Sequence, residues 1–249
     1  MELLLNTLDA LVSKLEKAGG KGSQAANDIR AQLNNIKKGK LDGLASVVES
    51  LEEKADDSAG ASDLSGSVAS FDSILSGPFG QFKTASQAIG GDVATLGDLV
   101  GSTFDMQKYF LQTVSASKKP KADDLQKLLK PTSEMIGEIQ QFRESNRRSK
   151  MFNHLSAISE SIPALGWVAV SPAPAPYVKE MKDAGQFYTN RALKDWKEKD
   201  NTHAVWVRSW VETLSEIQAF VKQFHTTGLV WNPKAAASPA KPNWQEVDC

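Results

Sequence analysis

The feature that most constrains the fold of this chain is a helical spacing of apolar residues, which recurs from residue 67 to residue 231. Apolar side chains at steps of three and four share one face of an α-helix, and strand-like alternation is almost missing here. The longest stripe comprises Val207, Trp210, Leu214, Ile217, Val221 and Phe224. The stripe before it comprises Tyr177, Met181, Ala184, Tyr188, Ala192 and Trp196. Consecutive amphipathic helices with short connections bury their apolar faces against one another, so the pattern predicts an all-α bundle.

Glycine, proline and acidic residues indicate where the helices of this bundle begin and end. Gly90-Gly91 is expected to stop one helix, and Asp92 to cap the next one. A later helix is expected to take its cap from Asp123 or Asp124. Pro131 falls inside the apolar stripe of that later helix, where it should kink or interrupt the helix because it has no N–H to donate.

Residues 1–18 form a separate short segment with a single apolar seam. Its leucines recur at steps of four, three and four, at Leu4, Leu8, Leu11 and Leu15. Two heptads are marginal as an isolated helix, because helix nucleation is costly and the buried area is small. The seam therefore predicts a partner, most simply the same helix of a second copy in a coiled coil. A terminal helix docked on the main domain is the alternative interpretation.

Two segments of weaker apolar patterning flank the predicted bundle. Residues 19–66 contain Gly- and Ser-rich stretches around a thin helical periodicity, which is typical of a flexible linker with weak helices. Residues 232–249 are rich in alanine and proline, and we interpret them as a disordered or extended tail. The sequence therefore predicts four regions, with the bundle over residues 67–231 as the folded domain.

Overall charge and cysteine content exclude several classes of protein. The 29 basic and 30 acidic side chains give a net charge of -1, which argues against nucleic-acid binding through bulk charge. The single cysteine, Cys249, is the final residue, so a disulfide within the chain is impossible. No apolar stretch approaches the roughly 20 residues that membrane insertion needs, and the amino terminus lacks the basic segment of a secretion signal. We therefore expect a cytoplasmic protein.

Signatures of catalysis are missing from the sequence. It contains no phosphate-binding Gly-x-x-x-x-Gly-Lys loop and no His-Glu-x-x-His zinc pair. The three histidines, His154, His203 and His225, fall in different predicted elements, and we interpret each as a surface or helix-cap residue. An acid–base pair of His154 and Glu160 would require a cleft, which their spacing does not indicate. We therefore predict no enzymatic activity, no metal site and no cofactor.

One basic cluster, residues 143–154, offers a candidate binding surface. If a helix persists through it, its basic residues fall in one narrow arc, because steps of four, three and four nearly complete whole turns. These residues are Arg143, Arg147, Lys150 and His154. Cations and amides at the margin of a core present a preformed surface to an acidic partner. Alternatively, the cluster is a helix end whose basic residues offset the macrodipole.

Around this cluster the sequence resembles one known family. Residues 142–168 read FRESNRRSKMFNHLSAISESIPALGWV, and this stretch is similar to the helical folded domain of cyclase-associated proteins. Further matching stretches are Phe71-Asp72, Ile89–Val93, Pro176–Met181, Phe187–Arg191, Trp206–Arg208 and Phe224–Leu229. The resemblance covers residues 68–231, and Leu11–Glu16 is similar to the oligomerising leucine helix of the same family.

The resemblance implies an antiparallel six-helix bundle, preceded by a short coiled-coil helix and a flexible linker. It implies that the bundle binds the pointed ends of actin filaments together with cofilin, and that it promotes subunit dissociation and filament turnover. It also implies a cytoskeleton-associated homo-oligomer held by the leucine helix. The alternative that it leaves open is a signalling scaffold whose amino-terminal helix binds adenylyl cyclase.

The resemblance and the basic cluster together give the expected binding residues. For the surface that faces actin and cofilin we expect Arg143, Asn146, Arg147, Lys150, Asn153 and His154. A second group comprises Lys179, Asn190, Arg191 and Lys194. If these side chains serve binding alone, replacing Arg143 and Arg147 with alanine should abolish depolymerisation and change stability by less than about 1 kcal/mol.

Overall fold

The computed structural model describes residues 64–196 and 198–235, apart from the side chain of residue 65. In this part of the chain seven α-helices and one 3-10 helix follow one another, and no strand occurs. They are α1 Leu64–Ser76, α2 Pro78–Ile89, α3 Gly91–Ala116, α4 Ala122–Ser145, α5 Phe152–Ser161, the 3-10 helix Ile162–Ala169, α6 Pro174–Trp196 and α7 Asn201–Phe224. Only Gly77 separates α1 from α2, so these two form one bent rod and the bundle has six rods. The predicted all-α, antiparallel six-helix bundle is confirmed.

The bend between α1 and α2 has a local cause. Pro78 has no N–H to give to the preceding turn, so the helical hydrogen-bond pattern is broken there. Gly77 still donates to the Ser73 carbonyl at 2.9 Å, and a Cβ at residue 77 would lie only 2.8 Å from that same oxygen. A residue without a side chain is therefore required where the rod bends.

The predicted stop at Gly90-Gly91 is confirmed, whereas the predicted acidic caps are wrong. Both glycines have positive φ angles, 77° and 54°, which end α2 and begin α3. Gly90 itself is the N-cap of α3, and Asp92 lies in the first turn. Asp123 and Asp124 likewise lie in the first turn of α4, after the N-cap Lys121, which makes no side-chain capping bond. Their charges still complement the positive end of the helix dipole.

The predicted interruption at Pro131 does not occur, because α4 runs unbroken from Ala122 to Ser145. A proline inside a helix removes one hydrogen bond and crowds one carbonyl, which costs about 3 kcal/mol. Leu128, Thr132 and Ile139 on the same helix are buried against the bundle. Tertiary packing on both sides of the proline therefore holds the helix in one piece.

Helix α7 supplies the centre of the core. Its predicted apolar stripe is buried, except that Phe224 at the end is partly exposed. Trp206 and Trp210 pack against Phe82 at ring-centroid distances of 5.4 and 4.8 Å. The indole N–H of Trp210 donates to the Ser161 hydroxyl at 2.9 Å, so its polar atom is satisfied inside the core. Each such buried side chain contributes roughly 1.5–3 kcal/mol.

The predicted apolar stripe of α6 is only partly correct: Ala192 is buried, and Tyr177, Met181 and Tyr188 pack against the core. Ala184, placed on the core face, is exposed, while its neighbour Gly185 is buried. A Cβ on Gly185 would lie 2.8 Å from the Ala157 carbonyl of α5, so the two helices are in close contact there. The core face of α6 contains small and polar residues, such as Thr189, which a search for apolar side chains overlooks.

Within the described residues, no helix is both long enough and apolar enough to cross a membrane. The predicted coiled-coil seam of Leu4, Leu8, Leu11 and Leu15 lies outside the described residues, as do almost all of the linker and most of the tail. Those assignments remain predictions.

Candidate functional site

The junction between α4 and α5 contains the basic cluster, and the helix does not persist through it. Asn146 ends α4 with its backbone N–H shared between the Phe142 and Arg143 carbonyls, both at 3.2 Å. Its side-chain amide also donates to the Phe142 carbonyl, at 2.8 Å. These bonds use the acceptors of the last turn, and α5 begins only at Phe152. The single helical arc of cations is therefore wrong.

Arg143 is a brace between α4 and α5, because its side chain is only 18% exposed. Its Nε donates to the Ser156 hydroxyl at 3.2 Å, and its Nη2 lies 3.6 Å from a carboxylate oxygen of Glu160. It also pairs with Glu144, and its guanidinium lies 5.0 Å from the ring centre of Phe152. The prediction of Arg143 as a side chain that serves binding alone is not supported by these contacts.

The exposed cations of the junction are Arg147, Arg148 and Lys150, which we call the junction ridge. Arg147 donates through Nε to Glu144 at 2.7 Å, although its side chain is still 71% exposed. Hydrogen bonds from Arg147 and Arg143 hold the pKa of Glu144 below its usual value. No ion pair within the described residues involves Arg148 or Lys150. Arg148 was not among the binding residues expected from the sequence, and it is exposed because the chain turns between α4 and α5.

The ridge is held against the bundle by Ser149, which lies between its members. The Ser149 hydroxyl donates to a carboxylate oxygen of Asp92 on α3 at 2.6 Å and accepts from the Met151 N–H at 3.1 Å. One side chain thus joins the α4–α5 turn to the start of α3. The ridge is therefore part of an ordered surface.

His154 does not belong to this surface, because it is fully buried. Its Nε2 lies 2.8 Å from Nδ1 of His203 on α7, and its ring packs 4.9 Å from Trp206. Burial lowers the pKa of His154 to about 4, with a further lowering from His203. The interpretation of the histidines as surface or cap residues is wrong for His154 and His203, which are buried inside helices. It is correct for His225, which is the C-cap of α7, although its side chain is buried as well. His154 lies four residues before Ile158, a spacing that places both on the inner face of α5.

Asn153 joins α5 to α6. Its side-chain amide donates to a carboxylate oxygen of Asp195 at 2.9 Å, near the end of α6. The bond brings the exposed residues Asn190, Arg191 and Lys194 to the same end of the bundle as the junction. Lys179 lies 16 residues before Asp195, about 24 Å along the helix. The structure therefore places Asn190, Arg191 and Lys194 of the predicted second group near the junction, and Lys179 far from it.

Lys179 has a local partner instead. Its ammonium lies 2.5 Å from a carboxylate oxygen of Asp183, one turn along α6. Exposed pairs of this spacing contribute only a few tenths of a kcal/mol. Lys179 is thus a partly neutralised charge remote from the junction.

One exposed residue was missed by the sequence reasoning. Phe187 on α6 is 56% exposed, and the guanidinium of Arg191 lies 4.5 Å from its ring centre. The sequence does contain a signal, because Phe187 precedes Tyr188 on the core-directed stripe. Adjacent helical residues differ in direction by about 100°, so both rings cannot face the core equally.

His154 and Glu160 are not arranged as an acid–base pair. The Nε2 of His154 contacts His203, while Glu160 faces Arg143. In the described part of the chain, no group of three or more His, Cys, Asp or Glu residues could hold a metal ion. What the surface offers is fixed positive charge, amides and one aromatic ring.

The family model described as "CAP, N-terminal domain" matches residues 71–229. The chain belongs to the cyclase-associated protein family. This CAP-family chain is 54% identical over 166 residues to adenylyl cyclase-associated protein 2 of Homo sapiens, covering 67% of the chain and 35% of that protein. It is 48% identical over 176 residues to adenylyl cyclase-associated protein 1 of Bos taurus, covering 71% of the chain and 37% of the relative. The chain thus spans little more than a third of these relatives.

Two solved structures of CAP N-terminal domains match the bundle. One, a crystal structure described as indicating variable oligomerisation, has a TM-score of 0.67 at 40% identity and covers 70% of this chain and 97% of that one. The other, from Dictyostelium discoideum, has a TM-score of 0.66 at 39% identity and covers 68% and 97% respectively. The bundle therefore has the fold of the CAP N-terminal domain.

Proposed function

We propose that this CAP-family chain regulates actin, with a helical domain that binds filament pointed ends together with cofilin and promotes subunit dissociation. The observation that carries the proposal is the exposed junction ridge on a domain of this family. Arg148 and Lys150 have no ion-pair partner in the described residues, so their charge is available to an acidic protein surface. In this proposal the protein is cytoplasmic and associated with the cytoskeleton.

The mechanism requires no bond-making chemistry. A domain that binds the departing geometry of a terminal subunit more tightly than its seated geometry lowers the barrier to dissociation. A domain with equal affinity for both geometries would change nothing. The contacts of Arg143 and Ser149 favour this mechanism, because they hold the ridge in an ordered position on the bundle. Little ordering entropy is then lost on binding.

Several domains linked together would act better than one. We propose that residues 1–18 join copies of the chain through Leu4, Leu8, Leu11 and Leu15, and variable oligomerisation is what the related crystal structure is described as indicating. Linking converts a second contact with the filament into an intramolecular event with a high effective concentration.

Imaging of single actin filaments tests the proposal. With cofilin present, the wild-type chain should accelerate shortening at pointed ends, and Arg147→Ala with Lys150→Ala should raise its half-maximal concentration about tenfold or more. The control is Lys127→Ala with Lys130→Ala, two lysines of α4 whose side chains are 70% and 71% exposed. Equal activity of wild type and both variants, or no acceleration by wild type, would contradict the proposal.

A second candidate function is a scaffold that binds adenylyl cyclase through the amino-terminal helix. The names of the curated relatives, adenylyl cyclase-associated proteins, favour it. Deleting residues 1–18 separates the two functions. A scaffold would lose all binding to a cyclase, whereas a depolymerising domain would keep its activity and lose only the benefit of linkage.

A further inference from the structure

Phe187 is an apolar side chain on a polar helix face. It is the exposed large hydrophobic residue of the described part of the chain, and its ring touches Tyr188 edge-on at a centroid distance of 5.1 Å. Single exposed apolar residues are common on proteins that fold without partners. What distinguishes Phe187 is the arrangement of side chains around it.

Arg191 lies over the ring of Phe187, one turn along α6, with its guanidinium carbon 4.5 Å from the ring centre. Stacking holds the flexible arginine in one orientation and leaves its N–H groups for a partner. Asn190 and Lys194 lie on the same exposed face at helical spacing. We call these four residues the α6 stripe.

The two cations of the stripe are not held in ion pairs by the described residues. None of the ion pairs among the described residues involves Arg191 or Lys194, and Asp195 beside them accepts a hydrogen bond from Asn153. An aromatic ring flanked by cations resembles the centre of a protein interface, where aromatic and arginine side chains are enriched. The surroundings favour an acidic partner with an apolar pocket.

We propose that Phe187 is the anchor of a protein-binding stripe on α6, and that it inserts into an apolar pocket rimmed by carboxylates on the partner. The inference rests on the proposed function, because the partner is the actin–cofilin end engaged by the junction ridge. The Asn153–Asp195 bond makes the stripe and the ridge neighbours on one end of the bundle.

A protein fits this surface better than a membrane does. Glu180 and Asp183 are exposed on the preceding two turns of α6, where Asp183 pairs with Lys179, so the helix lacks the extended basic face that an anionic lipid surface attracts. One aromatic ring without an adjoining apolar face also gives little insertion into lipid. A protein pocket, in contrast, needs only one well-placed ring.

Binding of the full chain to ADP-actin with cofilin, measured by fluorescence anisotropy, tests the stripe. Phe187→Ala should weaken binding about tenfold or more, mainly through faster dissociation, and Phe187→Leu should fall between it and wild type. The matched control is Gln186→Ala, the exposed neighbour on the same helix, which should bind as wild type does. Unchanged circular dichroism and melting temperature of Phe187→Ala would establish that the fold is retained.

Several results would overturn the proposal. If Phe187→Ala binds normally while the Arg147→Ala, Lys150→Ala variant binds weakly, the stripe is wrong and the proposed function stands. If the wild-type chain does not bind ADP-actin with cofilin, both fail. If Phe187→Ala binds actin normally but no longer binds phosphatidylserine vesicles, the ring binds a membrane instead. If it binds actin normally but has a lower mass in light scattering, the ring contacts a second copy of the chain instead.

Discussion

Arg143 lies in the last turn of α4, Arg147 lies four residues later in the turn that follows the helix, and both carry the same charge, yet their surroundings differ. Arg143 is enclosed by Ser156, Glu160 and the Phe152 ring, whereas Arg147 projects into solvent. Removing the former leaves partners on α5 unsatisfied and exposes the apolar surface that its stem covers. Charge at a given position therefore does not reveal whether an arginine binds a partner or braces the fold.

Replacing each of the two arginines with alanine should therefore change the free energy of unfolding by different amounts. Arg143→Ala is expected to lower the free energy of unfolding by about 1–2 kcal/mol, because a partly buried hydrogen-bonded charge is lost. Arg147→Ala should change it by no more than about 0.5 kcal/mol. Urea unfolding at pH 7 with both single variants makes the comparison. An Arg143→Ala protein as stable as Arg147→Ala would contradict the bracing role.

The buried histidines make stability depend on pH. Burial lowers the pKa values of His154 and His225 from 6.5 to about 4, and it lowers the pKa of His203 as well. The unfolded chain then binds more protons than the folded chain below pH 6.5, so stability falls as pH decreases from 6.5 towards 4. For one such histidine the loss between pH 7 and pH 5 is about 2 kcal/mol.

Replacing one histidine isolates this effect. In His225→Asn the side-chain oxygen can still accept from the Val230 N–H, which His225 Nδ1 now does at 3.1 Å. The difference in unfolding free energy between pH 7 and pH 5 should therefore become smaller by about 2 kcal/mol than in wild type. Urea titrations at the two pH values measure it. An unchanged difference would mean that the pKa of His225 in the folded chain is not lowered from its unfolded value.

At the scale of single elements, spacing predicts helices better than it predicts contacts between them. The α7 stripe is correct because large apolar side chains mark its core face directly. The predicted apolar positions of α6 are wrong at Ala184, because the close contact with α5 is made by Gly185, which has no side chain to recognise. The arc of cations fails because the Asn146 amide ends α4, and the contact between His154 and His203 spans 49 residues. Local pattern carries no information on such pairings.

The close approach at Gly185 gives a prediction with a matched control. Gly185→Ala should destabilise the domain by about 1–3 kcal/mol, because its Cβ would lie 2.8 Å from the Ala157 carbonyl and from the Ser161 Cβ. Gly137→Ala on α4, with no atom within 4 Å of its Cβ, should stabilise by about 0.5–1 kcal/mol through helix propensity. Thermal unfolding of both variants tests this. Stabilisation by both substitutions would contradict the packing of α5 on α6.

At the scale of the whole molecule, linkage and contact make separate contributions to the proposed activity. In the proposal, the ridge and the stripe determine how one domain engages a filament end, whereas the leucine seam determines how many domains act together. Avidity raises the apparent affinity without adding a contact. Linkage should therefore change the concentration at which the chain acts and leave the maximal rate unchanged.

Substitutions in the seam test this in the chain of residues 1–249. Leu8→Ser with Leu11→Ser should lower the mass in light scattering to that of one chain and raise the half-maximal concentration for pointed-end shortening about tenfold or more. The maximal shortening rate at saturation should stay that of wild type, because each domain keeps its own contacts. Asn6→Ala with Ser13→Ala, off the leucine positions, is the control and should retain mass and activity. A reduced maximal rate for the leucine variant would show that assembly alters the domain itself rather than its local concentration.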